Sequence, residues 1–103
     1  MSLMTRSLLF LHAGPGHASE LLRVLERLGV LAMAAEQPGF LGVEVAAAID
    51  DEDDVVIIGS WASKEHYERW RSGPVPGQLI DQIASLLTAP PVEHVYHVVE
   101  AVC

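Results

Sequence analysis

A single cysteine, Cys103, occurs in the 103 residues, so no disulfide can form within the chain and no multi-cysteine metal site can be built. A reducing, cytoplasmic compartment is the expectation. Basic residues are scarce as well: six Lys and Arg stand against fourteen Asp and Glu, a net charge of −8. With no basic stripe to neutralise phosphates, nucleic acid and anionic membranes are excluded as partners, which leaves a neutral or weakly acidic small molecule. Long apolar runs are missing too, and none nears the ~20 residues that cross a bilayer. A soluble protein is expected. The opening MSLMTRSLLFLHAGPGHAS carries one Arg and only half a signal-peptide core before Pro15, so no export signal is read. Met4 is a second possible start, which would make residues 1–3 an addition. No Gly-x-Ser-x-Gly elbow, P-loop or zincin motif is present. Gly14-Pro15-Gly16 opens like a dinucleotide fingerprint, but Ser19 stands at the third glycine position and the repeated βαβ units are lacking.

Half of the chain is apolar, enough for a core without staples, and the length suits one domain over residues 1–103. Ser7–His12 (SLLFLH) is an apolar run of strand length stopped by Gly14, Pro15 and Gly16. From about His17 to Gln37, Leu21, Val24, Leu25, Leu28 and Leu31 recur at steps of three and four, which predicts one long amphipathic helix, weakened at Gly29 and ended by Pro38-Gly39. Phe40–Ile49 and Val55–Trp61 read as adjacent strands, and the acidic cluster Asp50–Asp54 between them as a solvated hairpin loop. Ser63 caps a second helix that runs to about Ser72. The segment Gly73–Gly77 (GPVPG) reads as a breaker, Gln78–Leu87 as a third helix and Val92–Val102 as the last strand.

Strand, helix, strand, strand, helices, strand is the split β-α-β order of an α+β, ferredoxin-like domain, with an antiparallel four-stranded sheet and its helices on one face. SLLFLH and VVIIGSW are apolar in both phases of the alternation, so both sheet faces need cover. Helices cover one face. A homodimer joined through sheet faces is therefore predicted.

Within this frame, PGFLGVEV (Pro38–Val45) and DDVVIIGSWASKEHYERW (Asp53–Trp70) resemble the antibiotic biosynthesis monooxygenase family. The shared pattern is Pro-Gly-aromatic after the first helix, a hairpin, a strand ending in Trp61, then Ser63 as a cap and Tyr67 six residues after the tryptophan. The resemblance implies a dimeric α+β barrel with a pocket between sheet and helices in each protomer. It also implies oxidation of an aromatic or polyketide-like molecule by dioxygen with no metal, haem or flavin cofactor. Such chemistry needs a proton acceptor, a polar group for a developing oxyanion and aromatic walls. A small-ligand binding or stress-response domain of the same fold, without chemistry, is the alternative. Haem-degrading relatives use a histidine ten residues beyond Trp70 and an asparagine on the first strand; here the first position is Ile80 and the strand contains no asparagine.

Trp61, Tyr67 and Trp70 are the candidate substrate walls, Tyr67 and Trp70 lying three apart on one helix face. Plain core packing is the competing reading, and their polar tips favour a partly wet pocket. Five histidines are present, at positions 12, 17, 66, 94 and 97. His94 and His97 are three apart on a strand, so they point to opposite faces and cannot share a metal ion. As proton acceptors, His12 and His97 are the first candidates and His94 the next, because each sits on a strand beside apolar residues expected to line the interior.

Overall fold

The computed structural model describes residues 3–102; the expectations about Met1, Ser2 and the lone thiol of Cys103 lie outside the described residues. Strand β1 (Thr5–His12) is followed by helices α1 (Ala18–Leu28) and α2 (Val30–Ala35), strands β2 (Phe40–Ala48) and β3 (Asp51–Trp61), helices α3 (Lys64–Arg71) and α4 (Pro74–Ile83), a 3-10 turn and strand β4 (Val92–His97). The sheet order is β2-β3-β1-β4, with every neighbouring pair antiparallel. This is the expected α+β, ferredoxin-like arrangement.

The expected long helix is two helices. Gly29 adopts φ +66°, and its N–H bonds to the carbonyls of Glu26 and Leu25 as a left-handed cap, a conformation that glycine enters without a Cβ penalty. The chain therefore turns at Gly29 instead of merely weakening there. Leu21 and Leu25 on α1, Val30 on α2 and Leu79 and Ile83 on α4 are buried against Leu11 and Val55 of the central strands. The repeat of three and four located this stripe correctly.

Three other boundaries differ from the sequence reading, each for a structural reason. Helix α4 starts inside the supposed breaker, with Pro74 in its first turn, where the N–H that proline lacks would have had no helical partner anyway. Most of the acidic cluster is strand: only residues 49–50 turn, and Asp51–Asp54 continue the ladder, Asp54 pairing with His12. Pairing with two neighbours here overrides the low strand preference of Asp. Asp53 also accepts from the backbone N–H of Gly16 (3.2 Å) and of Ala18 (3.4 Å), so it ties the start of α1 to the sheet. Strand β4 ends at His97, well short of Val102. Its partner runs out there: His97 pairs with Thr5, and the bond from Val98 N–H to the Met4 carbonyl is the last rung.

Alternation along β1 divides the sheet into two faces. Thr5, Ser7, Leu9 and Leu11 turn toward the helices, and Leu8, Phe10 and His12 turn away, beside Ile58, Val56 and Asp54 of β3 and His94 and Val92 of β4. Among the described residues no helix covers that second face, where Phe10 is 38% and Tyr96 55% exposed.

Candidate functional site

Two hydrophobic clusters sit between the sheet and its helices, one around Leu11, Leu25 and Ile83, the other made of Ala34, Trp61 and Tyr67. Between them lies a cavity of about 80 Å³, room for several water molecules at roughly 10–15 Å³ each. Its floor is the helix-facing side of the sheet, with Ser7, Leu9, Ile57 and Gly59, and its walls come from α2, α3 and α4.

The aromatic trio predicted from the sequence comes together here. Trp61 ends β3, and Ser63 caps α3 by accepting from the His66 N–H at 3.3 Å. This short connection carries Tyr67 and Trp70 back over Trp61. The indoles of Trp61 and Trp70 lie stacked at 6.2 Å between centroids and 26° between planes, and Phe40 and Tyr67 meet Trp61 edge-on at 5.6 and 6.4 Å. Such pairs add of order 1 kcal/mol each beyond the area they bury. Gly59 makes room for this packing: a Cβ there would stand 2.9 Å from the Ser7 hydroxyl and 3.2 Å from the Trp61 indole nitrogen. Trp61 is 2% exposed and Tyr67 6%, so these two rings are core by burial, whereas Trp70 is half-buried; all three line the cavity.

The Tyr67 hydroxyl is buried with no protein atom in full hydrogen-bonding geometry, although Glu93 and Arg71 lie near enough to act on it. A buried, unmatched hydroxyl costs of order 1–3 kcal/mol, so it is a group the fold keeps at a cost. Burial raises its pKa well above the ordinary value, the neighbouring Glu93 carboxylate raises it further, and Arg71 opposes with a smaller effect. Tyr67 therefore stays protonated at neutral pH, a state that is able to donate a hydrogen bond and unable to act as a base. Beside it, the Arg71 Nε donates to Glu93 Oε1 at 3.1 Å. Glu93 reaches the cavity because it pairs with Leu9 across the β1–β4 ladder and so points toward the helices.

The histidines do not join this group. His12 and His94 lie on the face turned away from the cavity: His12 is exposed, 3.9 Å from Asp54, and His94 meets the Phe10 ring edge-on. His97 shares the helix-side phase with Thr5, but it is exposed on edge strand β4 and does not line the cavity. The expectation that these strand histidines line the interior is corrected by the register: apolar neighbours in sequence sit on both faces, so adjacency to them does not assign a face. His66 hydrogen-bonds Ser63 at 2.7 Å, and a side chain at Gly39 would collide with its ring. Its place is structural. Ile80 lines the cavity, so the position of an iron ligand in haem-degrading relatives is an apolar wall here. Among the described residues no cluster of three or more His, Cys, Asp or Glu is arranged to hold a metal ion, and no helix is long and apolar enough to cross a membrane.

Glu93 and Arg71 were not singled out by sequence reasoning. The only signal for Glu93 was its place in a period-two strand whose inward phase was not known.

A family model described as antibiotic biosynthesis monooxygenase matches residues 4–78. Among curated proteins, none matches the chain. Solved structures with a similar fold include a candidate antibiotic biosynthesis monooxygenase from Deinococcus radiodurans, 21% identical over 96% of each chain with a TM-score of 0.82. Another is SnoaB, a cofactor-independent oxygenase from Streptomyces nogalater, 18% identical over 95% of each chain with a TM-score of 0.80. A third, also a candidate monooxygenase of that description, comes from Chloroflexus aurantiacus and is 25% identical over 97% of each chain with a TM-score of 0.71.

Proposed function

Because the chain belongs to the antibiotic biosynthesis monooxygenase family, we propose that it acts as one domain to oxidise an aromatic, polyketide-like small molecule with dioxygen, without a cofactor. The observation that supports this reading is a cavity walled by Trp61, Tyr67 and Trp70, with the buried Tyr67 hydroxyl beside its polar end at Arg71 and Glu93. An apolar site with a few convergent polar groups is what a planar ligand with one oxygenated edge requires.

In the reaction proposed, an activated ring methylene and dioxygen give a carbonyl and water. One oxygen atom goes to carbon, the other leaves as water, and all four electrons come from the substrate. Loss of a proton to the Glu93 carboxylate, the acceptor-only side chain of the described lining, makes the ring electron-rich enough to pass an electron to dioxygen. Trp61, Trp70 and Leu79 hold the ring away from water, and Tyr67 donates to the oxygen on which negative charge builds. A donor aimed at developing charge in a dry site contributes on the order of 10²–10³ in rate.

A second copy of the chain is proposed to cover the open sheet face, where Phe10, Val92 and Tyr96 are exposed together. His12 and His94 would then sit at that interface and outside the chemistry.

Oxygen uptake in the presence of an anthrone or a naphthol tests the activity. One dioxygen consumed per quinone formed, with nothing added, is the expected result. Saturable binding with no oxygen uptake would replace the enzyme by a binding module built on the same cavity.

A further inference from the structure

The polar end of the cavity is assembled from two elements. The helix wall brings Tyr67 and, one turn later on α3, Arg71; the sheet wall brings Glu93 from β4. Ser7, the indole nitrogens and these three are the polar side-chain groups in the described lining. Their hydrogen-bonding capacities differ. Arg71 and the indoles only donate, and Ser7 and Tyr67 donate or accept as required, whereas a carboxylate only accepts. Glu93 is thus the single lining side chain that tells a hydroxyl from a carboxylate, since every other polar group there is able to donate to either.

We infer that Glu93 sets the ligand class: it accepts a hydrogen bond from a hydroxyl on the bound ring and turns away aromatic carboxylates. This rests on the reading that the cavity holds a planar aromatic, though not on catalysis. Arg71 fixes the carboxylate through the 3.1 Å bond from its Nε, and Glu93 in turn cancels the charge that would otherwise make Arg71 and Tyr67 a ready carboxylate cradle. The pair is half open to water, with side-chain exposures of 47% for Arg71 and 25% for Glu93. As an isolated surface ion pair it would contribute little to stability, which leaves ligand selection as the consequence of its position.

Equilibrium dialysis at neutral pH with three ligands that share one ring system tests this: 2-naphthol, 2-methoxynaphthalene, which keeps the oxygen but lacks the donor, and 2-naphthoate. The wild-type chain should prefer naphthol over both by on the order of tenfold, the size expected for a hydrogen bond to a charged acceptor. In Glu93→Met, which keeps most of the side-chain volume and removes both the charge and the acceptor, the advantage over the methoxy ligand should vanish and naphthoate binding should strengthen by about tenfold. An Arg71→Met variant supplies an independent arm: with Glu93 still present, naphthoate should bind more weakly than to wild type while the naphthol preference persists. An unchanged order of affinities in Glu93→Met, or a naphthoate gain in Arg71→Met, would overturn the role of Glu93 and leave the aromatic cavity standing. No saturable binding of any of the three would remove both.

Discussion

Alternate residues of β1 face opposite environments. Leu9 and Leu11 meet the helices and help to form the cavity and the core, whereas Leu8 and Phe10, of similar hydrophobicity, face a sheet surface that no helix covers among the described residues. The helix-covered face is finished within one chain: its aromatic rings are packed and its polar groups sit at one end. The other face exposes side chains of core character. The contrast teaches that an apolar residue on this sheet need not be buried within one chain, and that the proposed site and the proposed self-association surface share a strand but not a face.

The largest effect should come from breaking the finished face. Trp61→Ala removes the ring against which Phe40, Tyr67 and Trp70 all pack, and should lower the unfolding free energy by roughly 3–5 kcal/mol in a denaturant titration. A loss below about 1 kcal/mol would mean that the trio is wall and not core.

The open face is tested by Ile58→Asp. In a lone chain this half-buried position should tolerate the change with modest loss. Under a second copy, an unpaired carboxylate should cost a few kcal/mol and separate the protomers. Sedimentation equilibrium should then give about twice 11.2 kDa for the wild type and 11.2 kDa for the variant. A wild-type monomer would end the sheet-to-sheet proposal.

The smallest change sharpens the comparison most. Tyr67→Phe deletes the buried hydroxyl beside the cavity and should leave the unliganded chain as stable as the wild type or up to about 1 kcal/mol more stable, while weakening the binding of oxygenated aromatics. It should also change the alkaline limb. Folding raises the Tyr67 pKa above its ordinary value of 10.0, by burial first and by Glu93 second. The stability tied to its proton is therefore whole below about pH 10 and is lost as the pH climbs toward the folded-state value. Unfolding curves collected above pH 10 should show that added slope in the wild type and not in the variant.

Much of this was legible from local pattern. The stripe from Leu21 to Leu28 and the order of elements depend on neighbours three or four residues away, and the segment from Trp61 through Ser63 to Tyr67 places its own aromatics by a short connection and a capped helix. Boundaries failed where a long-range partner overrode local preference. Asp51–Asp54 became strand because β1 and β2 pair with them, and β4 stopped at His97 because β1 begins at Thr5. Gly29 failed for a different reason: a glycine within a helical stripe is compatible with either a weak point or a left-handed C-cap, and the periodicity alone does not separate the two.

By itself the sequence determined the fold class, the aromatic trio and the apolar character of both faces of the sheet, because helical and strand periodicities are carried by residues close in the chain. Only the tertiary structure decided which phase of each strand faces the helices. That choice removed His12 and His94 from the cavity and brought Glu93 into it. Phase depends on the pairing register between β1 and β4, segments some eighty residues apart, and a shift of one residue would exchange every side chain between the two faces.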